Sequence, residues 1–169
     1  MIIRCTQKLI KELRITPEEP GVLSEVGSWH ANLLRIDRRK CVLFTHDKTL
    51  FSLFVAGLKC PDFDAMDMVF GQALFRALRL FDFEQLQIER MLDLSRYITY
   101  AKTNSRSVLG SMNDMAFHVE DQIACEGGLD YTDIDELRVH INKIPFKAIG
   151  YEYPWKSLYA LLSERGKQH

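Results

Sequence analysis

Three runs of mostly apolar residues in the first third of the chain predict β-strands. The runs cover residues 29–36, 41–46 and 49–56. Short polar segments separate them, and the second separator, Asp47-Lys48, has the length of a two-residue hairpin turn. Residues 50–55 are apolar at nearly every position, as expected of a central strand that is covered on both faces. We therefore expect an antiparallel three-strand meander.

Through much of the remaining chain, apolar residues recur every three or four positions, which predicts amphipathic helices. The long periodic segments are residues 62–81, 84–94 and 107–124. The shorter predicted elements are helices at residues 6–14, 132–143 and 155–164 and strands at residues 2–5, 97–102 and 148–151. This combination predicts an α+β fold, in which a mainly antiparallel sheet built on the three-strand meander has helices packed on it.

The size and composition of the chain fit one folded domain without a strong overall charge. The 169 residues are 47% hydrophobic and 27% charged, which is enough to bury a core of ordinary size. We expect residues 1–169 to form a single globular domain. The formal net charge is −1, so the protein as a whole does not attract nucleic acid or membranes. Binding of a polyanion would therefore require a local patch of cations.

The sequence offers no targeting signal and no metal-binding motif. Residues 1–6 are too short and too polar for a signal peptide, and no apolar run approaches the ~20 residues of a membrane helix. The four cysteines are far apart and lack the spacing of zinc ligands. We expect a cytoplasmic protein with reduced cysteines, no membrane contact, no metal and no cofactor.

The segment between the predicted strand at residues 97–102 and the helix that follows it has the composition of an anion-binding site. Asn104 and Ser105 are favourable helix caps, and a capped helix start directs backbone N–H groups and the positive end of the helix dipole outward. Lys102 and Arg106 add full positive charges beside this helix start. Phosphates and carboxylates bind at sites of this kind.

A basic turn that contains Arg38 and Arg39 would add cations to this site if the fold placed it nearby. The predicted anion-binding residues are Lys102, Asn104, Ser105, Arg106, Ser107, Asn113, Arg38 and Arg39. The expected partner is a nucleic acid or a phosphorylated ligand. Both features also have an ordinary structural explanation, because polar residues cap many helices and charged residues in turns are commonly solvated.

Several stretches of the sequence are similar to a known family. They are residues 1–9, 29–34, 37–44, 103–114 and 150–154. On these residues the chain resembles a widespread family of small prokaryotic proteins classed as a domain of unknown function. The similarity extends over nearly the whole chain and implies a stand-alone domain. No activity is assigned to the family, so the resemblance implies no mechanism and no catalytic residues.

The sequence is compatible with three functions. The first is a small cytoplasmic binding module that engages an anionic partner at the cationic helix start. The second is a metal-independent nuclease or phosphotransfer enzyme, in which Arg106 stabilises negative charge and His118 or His30 acts as acid or base. The third is a homo-oligomeric interaction module, such as a homodimer, without a ligand site. A histidine close to Arg106 in the fold would favour the enzyme.

Overall fold

A five-stranded sheet lies at the centre of the protein, whose structure, a computed structural model, describes residues 1–166. The strands are β1 (Ile2–Cys5), β2 (Trp29–Ile36), β3 (Arg39–His46), β4 (Ser52–Leu58) and β5 (Thr99–Lys102). Their order across the sheet is β4-β3-β2-β1-β5. Strands β2, β3 and β4 are antiparallel, whereas β1 runs parallel to both of its neighbours, β2 and β5.

The sheet is therefore mixed, which corrects the prediction of a mainly antiparallel sheet. The α+β class and the three-strand meander are confirmed, but both pairings of β1 are parallel. Parallel neighbours require a long crossover connection, and the chain has such connections between β1 and β2 and between β4 and β5. A hydrophobic pattern shows where a strand lies but not which strands become its neighbours, so the order could not be predicted.

Helices account for most of the rest of the described chain. They are α1 (Gln7–Leu13), α2 (Cys60–Asp64), α3 (Met66–Leu80), α4 (Gln85–Leu94), α5 (Arg106–Cys125), α6 (Ile134–Ile141) and α7 (Pro154–Gly166). The helix predicted at residues 62–81 is interrupted at Ala65, whose backbone angles (φ −117°, ψ 37°) are not helical. The strand predicted at residues 148–151 is not formed. A 3₁₀ turn, Lys147–Ile149, occupies this position, and two residues with positive φ follow it.

The tight hairpin lies between β2 and β3, and not between β3 and β4 as predicted. Asp37 and Arg38 are its turn residues, and both have the positive φ values (49° and 64°) that a type I′ turn requires. The Asp37 carboxylate accepts a hydrogen bond from the backbone N–H of Leu129 (2.6 Å), which holds the turn close to the end of α5. Asp47 lies in a longer connection, where its carboxylate bonds to Ser28 and His30.

Helices cover both faces of the sheet. Helices α1, α2, α3, α4 and α7 pack on one face, which we name the α1 face, and α5 and α6 pack on the other, the α5 face. On the α1 face, Phe70 packs edge-to-face against Trp29 and Phe44, with ring centroids 5.3 and 5.0 Å apart. Strand β4 was expected to be central but is an edge strand. It is apolar because α3 and α6 cover its two faces.

Candidate anion-binding site

The carboxyl ends of β1 and β5 lie side by side, with Cys5 paired to Lys102. From this point the chain continues on opposite sides of the sheet. After β1 it enters α1 on the α1 face, and after β5 it enters α5 on the α5 face. Ligands of open α/β sheets bind where neighbouring parallel strands diverge in this way. We name this region, the carboxyl ends of β1 and β5 together with residues 103–107, the junction.

Ser105 caps helix α5 at the junction, which confirms one of the two predicted caps. Its side-chain oxygen accepts a hydrogen bond from the backbone N–H of Val108 (3.2 Å). The backbone N–H groups of Arg106 and Ser107, in the same turn, have no hydrogen-bond acceptor within residues 1–166. These groups and the helix dipole present positive charge to the junction. The exposed side chains of Lys102 and Arg106 have no ion pair in the described chain and add to it.

Arg4, on the α5 face of β1, is a buried arginine without a carboxylate partner in the described part of the chain. The residue is only 8% exposed. Its Nη1 donates to the backbone carbonyl of Lys102 at the junction (3.3 Å), while its buried Nε has no hydrogen-bond partner within residues 1–166. No aspartate or glutamate of residues 1–166 forms an ion pair with it. A buried charge without a counter-charge is unfavourable, so an anion at the junction would offset the charge of Arg4.

His30, on β2, connects the sheet to the segment that precedes α5. The ring is fully buried, and its Nδ1 lies 2.7 Å from Oδ1 of Asp47. Its Nε2 accepts a hydrogen bond from the backbone N–H of Asn104 (3.4 Å). The two contacts together favour the tautomer that carries its proton on Nδ1. Burial raises the pKa of Asp47, but hydrogen bonds from His30 and Ser28 outweigh it, and the pKa lies below its ordinary value.

Arg4 and His30 belong to a row of buried polar side chains that crosses the α5 face. Arg4 pairs with His30, His30 with Thr45, and Thr45 with Ser52, so the row follows four adjacent strands. Each of these residues is at most 8% exposed. Asn142, directly after α6, extends the row through hydrogen bonds to the backbone of Ser52. The row was not predicted. Its signal in the sequence is a polar residue that interrupts an apolar run in each strand.

The predicted anion-binding residues lie in two separate regions. Those at the junction are Lys102, Asn104, Ser105, Arg106 and Ser107. Asn113 is exposed on α5 about 10 Å further along the helix axis and lies outside the junction. Arg38 and Arg39 are at the opposite end of α5, because their turn contacts Leu129 beyond the C-terminus of this 20-residue helix. A helix of that length separates the two regions by about 30 Å.

Of the two histidines considered from the sequence, His30 and not His118 is at the junction. His118 lies more than three turns into α5, about 18 Å from its first residue. His30 contacts Asn104, two residues before Arg106. Within residues 1–166, no three side chains of the histidine, cysteine, aspartate or glutamate type are arranged to hold a metal ion.

The mixed sheet with helices on both faces and a polar junction defines an α+β protein with its candidate site at a strand divergence. The chain belongs to the family described as Domain of unknown function (DUF6933), which matches residues 2–157. This confirms the resemblance to a family of unknown function inferred from the sequence. No curated protein and no solved structure matches the chain. In the described part of the chain, no helix has the length and apolar character needed to cross a membrane.

Proposed function

We propose that this protein is a small cytoplasmic binding module that holds a phosphate group of an anionic partner at the junction. The observation that carries the proposal is the environment of Arg4. Its guanidinium is almost fully buried, lies at the carbonyl of Lys102 and has an Nε without a partner among the described residues. Folding a charge into this position without a carboxylate is unfavourable unless a bound anion offsets it.

The junction offers donors of several kinds to one phosphate group. Arg4 places its charged guanidinium beside the carbonyl of Lys102, and the N–H groups of Arg106 and Ser107 present donors from the start of α5. The side chains of Lys102 and Arg106 are exposed and can close over the ligand from the solvent side. Hydrogen bonds from charged donors to phosphate are about twice as strong as those between neutral groups. The same donors would accept a free phosphorylated ligand or a phosphate of nucleic acid.

The proposed cytoplasmic location agrees with the state of the cysteines. All four are free thiols. Cys5 and Cys41 are buried, and burial raises the pKa of both thiols, that of Cys5 to about 12. A thiol with a raised pKa is a poor nucleophile, so these two residues serve as small core side chains.

A second candidate, a metal-independent phosphotransfer enzyme or nuclease, is favoured by the Asp47–His30 pair. The Asp47 carboxylate orients the ring so that Nε2 faces Asn104 at the junction. An imidazole oriented in this way can act as a general base once a substrate hydroxyl or water replaces the Asn104 N–H. Turnover of a phosphate ester that disappears in His30→Gln, with ligand binding retained, would support the enzyme over the binding module.

Binding of phosphate-bearing ligands tests the proposal directly. We expect nucleotides at a hundred times their dissociation constant to stabilise the wild type by about 2.7 kcal/mol, which raises Tm by roughly 5–10 °C. Arg106→Ala should weaken binding about tenfold, because it removes one charged hydrogen bond. Arg4→Gln should weaken it about a hundredfold, because its donor is buried. Calorimetric titration with inorganic phosphate, nucleotides and short RNA measures these constants and separates the two sources of phosphate.

Arg96→Ala is the matched control for these variants. It removes the same charge from an exposed residue just after α4 that pairs with Asp93. We expect it to bind as the wild type does. Arg4→Gln should retain a cooperative unfolding transition without ligand, since it removes an uncompensated charge. If no phosphate-bearing ligand shifts the Tm of the wild type, or if the control loses as much affinity as Arg106→Ala, the proposal is wrong.

A further inference from the structure

A second cationic feature lies at the other end of the molecule, beside the β2–β3 hairpin. It is an open groove of about 630 Å³, which we name the hairpin groove. Its lining residues are Arg35, Arg38, Arg39, Lys40, Gly57, Leu58, Lys59 and Cys60. Five of these eight are cations and none is an acid. The sequence predicted the basic turn with Arg35 and Lys40 but not Lys59, which the pairing of β3 with β4 brings beside it.

Three of the five cations have no ion pair within residues 1–166. Arg39 pairs with Asp130 (2.7 Å) and Lys40 pairs with Glu12. The remaining cations are Arg35, Arg38 and Lys59, all exposed. The groove therefore has an excess of positive charge on a protein whose formal net charge is −1. Such a local excess is what attracts a polyanion to a protein without overall positive charge.

The strand register brings two of these cations against each other. Arg35 of β2 is the direct antiparallel partner of Lys40 of β3, so the two side chains lie on the same face. Like charges at directly opposed positions destabilise a sheet. Glu12 offsets the charge of Lys40, but Arg35 has no such partner in the described chain. An anion that bound over this pair would relieve the repulsion.

The shape and composition of the groove indicate which polyanion it fits. No aromatic side chain of the described chain lines it, so it offers no surface on which bases stack. Gly57 has a positive φ of 67°, and a side chain there would meet no atom within 4 Å, so the wall beside β4 is open. An open groove with several separate cations suits an extended chain of phosphates and gives little selectivity for base sequence.

We propose that the hairpin groove binds the phosphate backbone of nucleic acid through Arg35, Arg38 and Lys59, without base-sequence specificity. This site is separate from the junction, because the hairpin and the junction lie at opposite ends of α5. It therefore does not depend on the function proposed for the junction.

The salt dependence of nucleic-acid binding tests this site. With three phosphate contacts, log K should fall with log salt concentration with a slope of about −2 for single-stranded RNA and about −2.7 for duplex DNA. Raising salt from 50 to 200 mM should then weaken binding about 16-fold and 40-fold, respectively. The double variant Arg35→Ala/Arg38→Ala should reduce the magnitude of the slope by about 1.4 for RNA and 1.8 for DNA. Fluorescence anisotropy with labelled 20-mers measures both slopes.

The matched control is the double variant Arg96→Ala/Lys143→Ala. It removes the same charge from exposed residues that do not line the groove. Lys143 follows Asn142, which contacts Ser52 at the opposite end of β4 from the groove, so the control is remote from the hairpin. We expect wild-type affinity and slope for this control.

Three results would overturn the inference. They are no binding of either 20-mer by the wild type at 50 mM salt, an unchanged slope in Arg35→Ala/Arg38→Ala, and an equal loss in the Arg96→Ala/Lys143→Ala control. If Arg106→Ala and not the hairpin variant changes the slope, the nucleic acid binds at the junction. That result would contradict the hairpin groove as the binding site and would support the function proposed for the junction. Thermal melting verifies that each variant is folded before its slope is compared.

Discussion

Replacing Asn142 with alanine should lower the free energy of unfolding by about 3 kcal/mol. The side chain is completely buried between α6 and β4. Its Oδ1 accepts a hydrogen bond from the backbone N–H of Ser52 (2.8 Å), and its Nδ2 donates to the carbonyls of Ser52 (2.8 Å) and Arg138 (2.9 Å). Alanine would leave a donor and two acceptors without this partner in a region that water does not reach.

The expected size of the loss follows from the position of β4 at the edge of the sheet. An edge strand has backbone groups that no neighbouring strand can satisfy. At Ser52 the amide of Asn142 takes the place of that strand and binds both the N–H and the C=O. A buried polar group without a partner costs about 1–3 kcal/mol. The loss of stability from two or three such groups is therefore larger than that of an average mutation.

Urea unfolding of Asn142→Ala and of Asn113→Ala measures this contribution. Asn113 is exposed on α5, where alanine is the better helix former, so its variant should unfold within about 0.5 kcal/mol of the wild type. The m-values should be equal if both variants keep the two-state transition. A loss below about 1 kcal/mol in Asn142→Ala would show that the amide does not satisfy the edge of β4.

Local structure could be predicted from the sequence wherever the hydrophobic pattern or the capping residues of an element are contiguous in the chain. The mostly apolar run at residues 29–36 coincides with β2, and the cap-rich segment before residue 107 contains Ser105, the cap of α5. In both cases the signal and the structure involve the same neighbouring residues. The predicted Asp47-Lys48 hairpin was wrong because turn length alone does not reveal that the Asp47 carboxylate binds β2.

Strand order required information that no local pattern contains. Strand β1 is central and buried on both faces, but it has only four residues and gave no sign of its two parallel neighbours. The apolar run in β4 indicated a central strand, but β4 lies at the edge of the sheet. Helices cover its two faces, and Asn142 hydrogen-bonds to its free backbone edge. Contacts between residues far apart in the chain decide both positions.

Only part of the candidate site could be predicted, because some of its residues are neighbours in the chain and others are brought together by strand pairing. The polar residues at the start of α5 are consecutive, so their composition was visible as one segment. Arg4 and His30 come from strands remote in sequence, and only the pairing of β1 with β2 and β5 brings them to Asn104 and Lys102. The pairing that assembles this half of the junction also carries the basic hairpin to the opposite end of α5.

Acidification should destabilise the protein through His46 before its carboxylates titrate. The ring is fully buried, and burial lowers its pKa from 6.5 to about 4. The neighbouring Asp47 charge and the hydrogen bond to the Val26 carbonyl oppose this shift, whereas Lys48 adds to it. The neutral ring uses both nitrogens, since Nε2 donates to Val26 (3.1 Å) and Nδ1 accepts from Thr49 (2.9 Å). A second ring proton would replace the acceptor with a donor in a dry site.

The sign of the pH effect follows from the two pKa values. Between pH 6.5 and about 4 the unfolded chain binds a proton at His46 that the folded protein does not, so stability falls as the pH falls. The loss from this residue should reach about 2 kcal/mol at pH 5 and about 3 kcal/mol at pH 4. Asp47 and Asp135 have lowered pKa values, so their contributions are lost only as the pH falls below about 4. The window from pH 7 to 5 therefore separates the titration of His46 from that of these two carboxylates.

Unfolding free energies of the wild type and His46→Gln, measured from pH 7 to 5, test this prediction. Glutamine keeps a donor and an acceptor but does not titrate, so the variant should start from a lower stability and lose about 2 kcal/mol less than the wild type over this range. Equal slopes for the two proteins would show that His46 does not limit stability in acid. The ring resonances of the folded wild type give an independent measurement, because His46 should stay neutral down to about pH 4. A ring that titrates near pH 6.5 without unfolding would contradict the buried, neutral state from which the prediction follows.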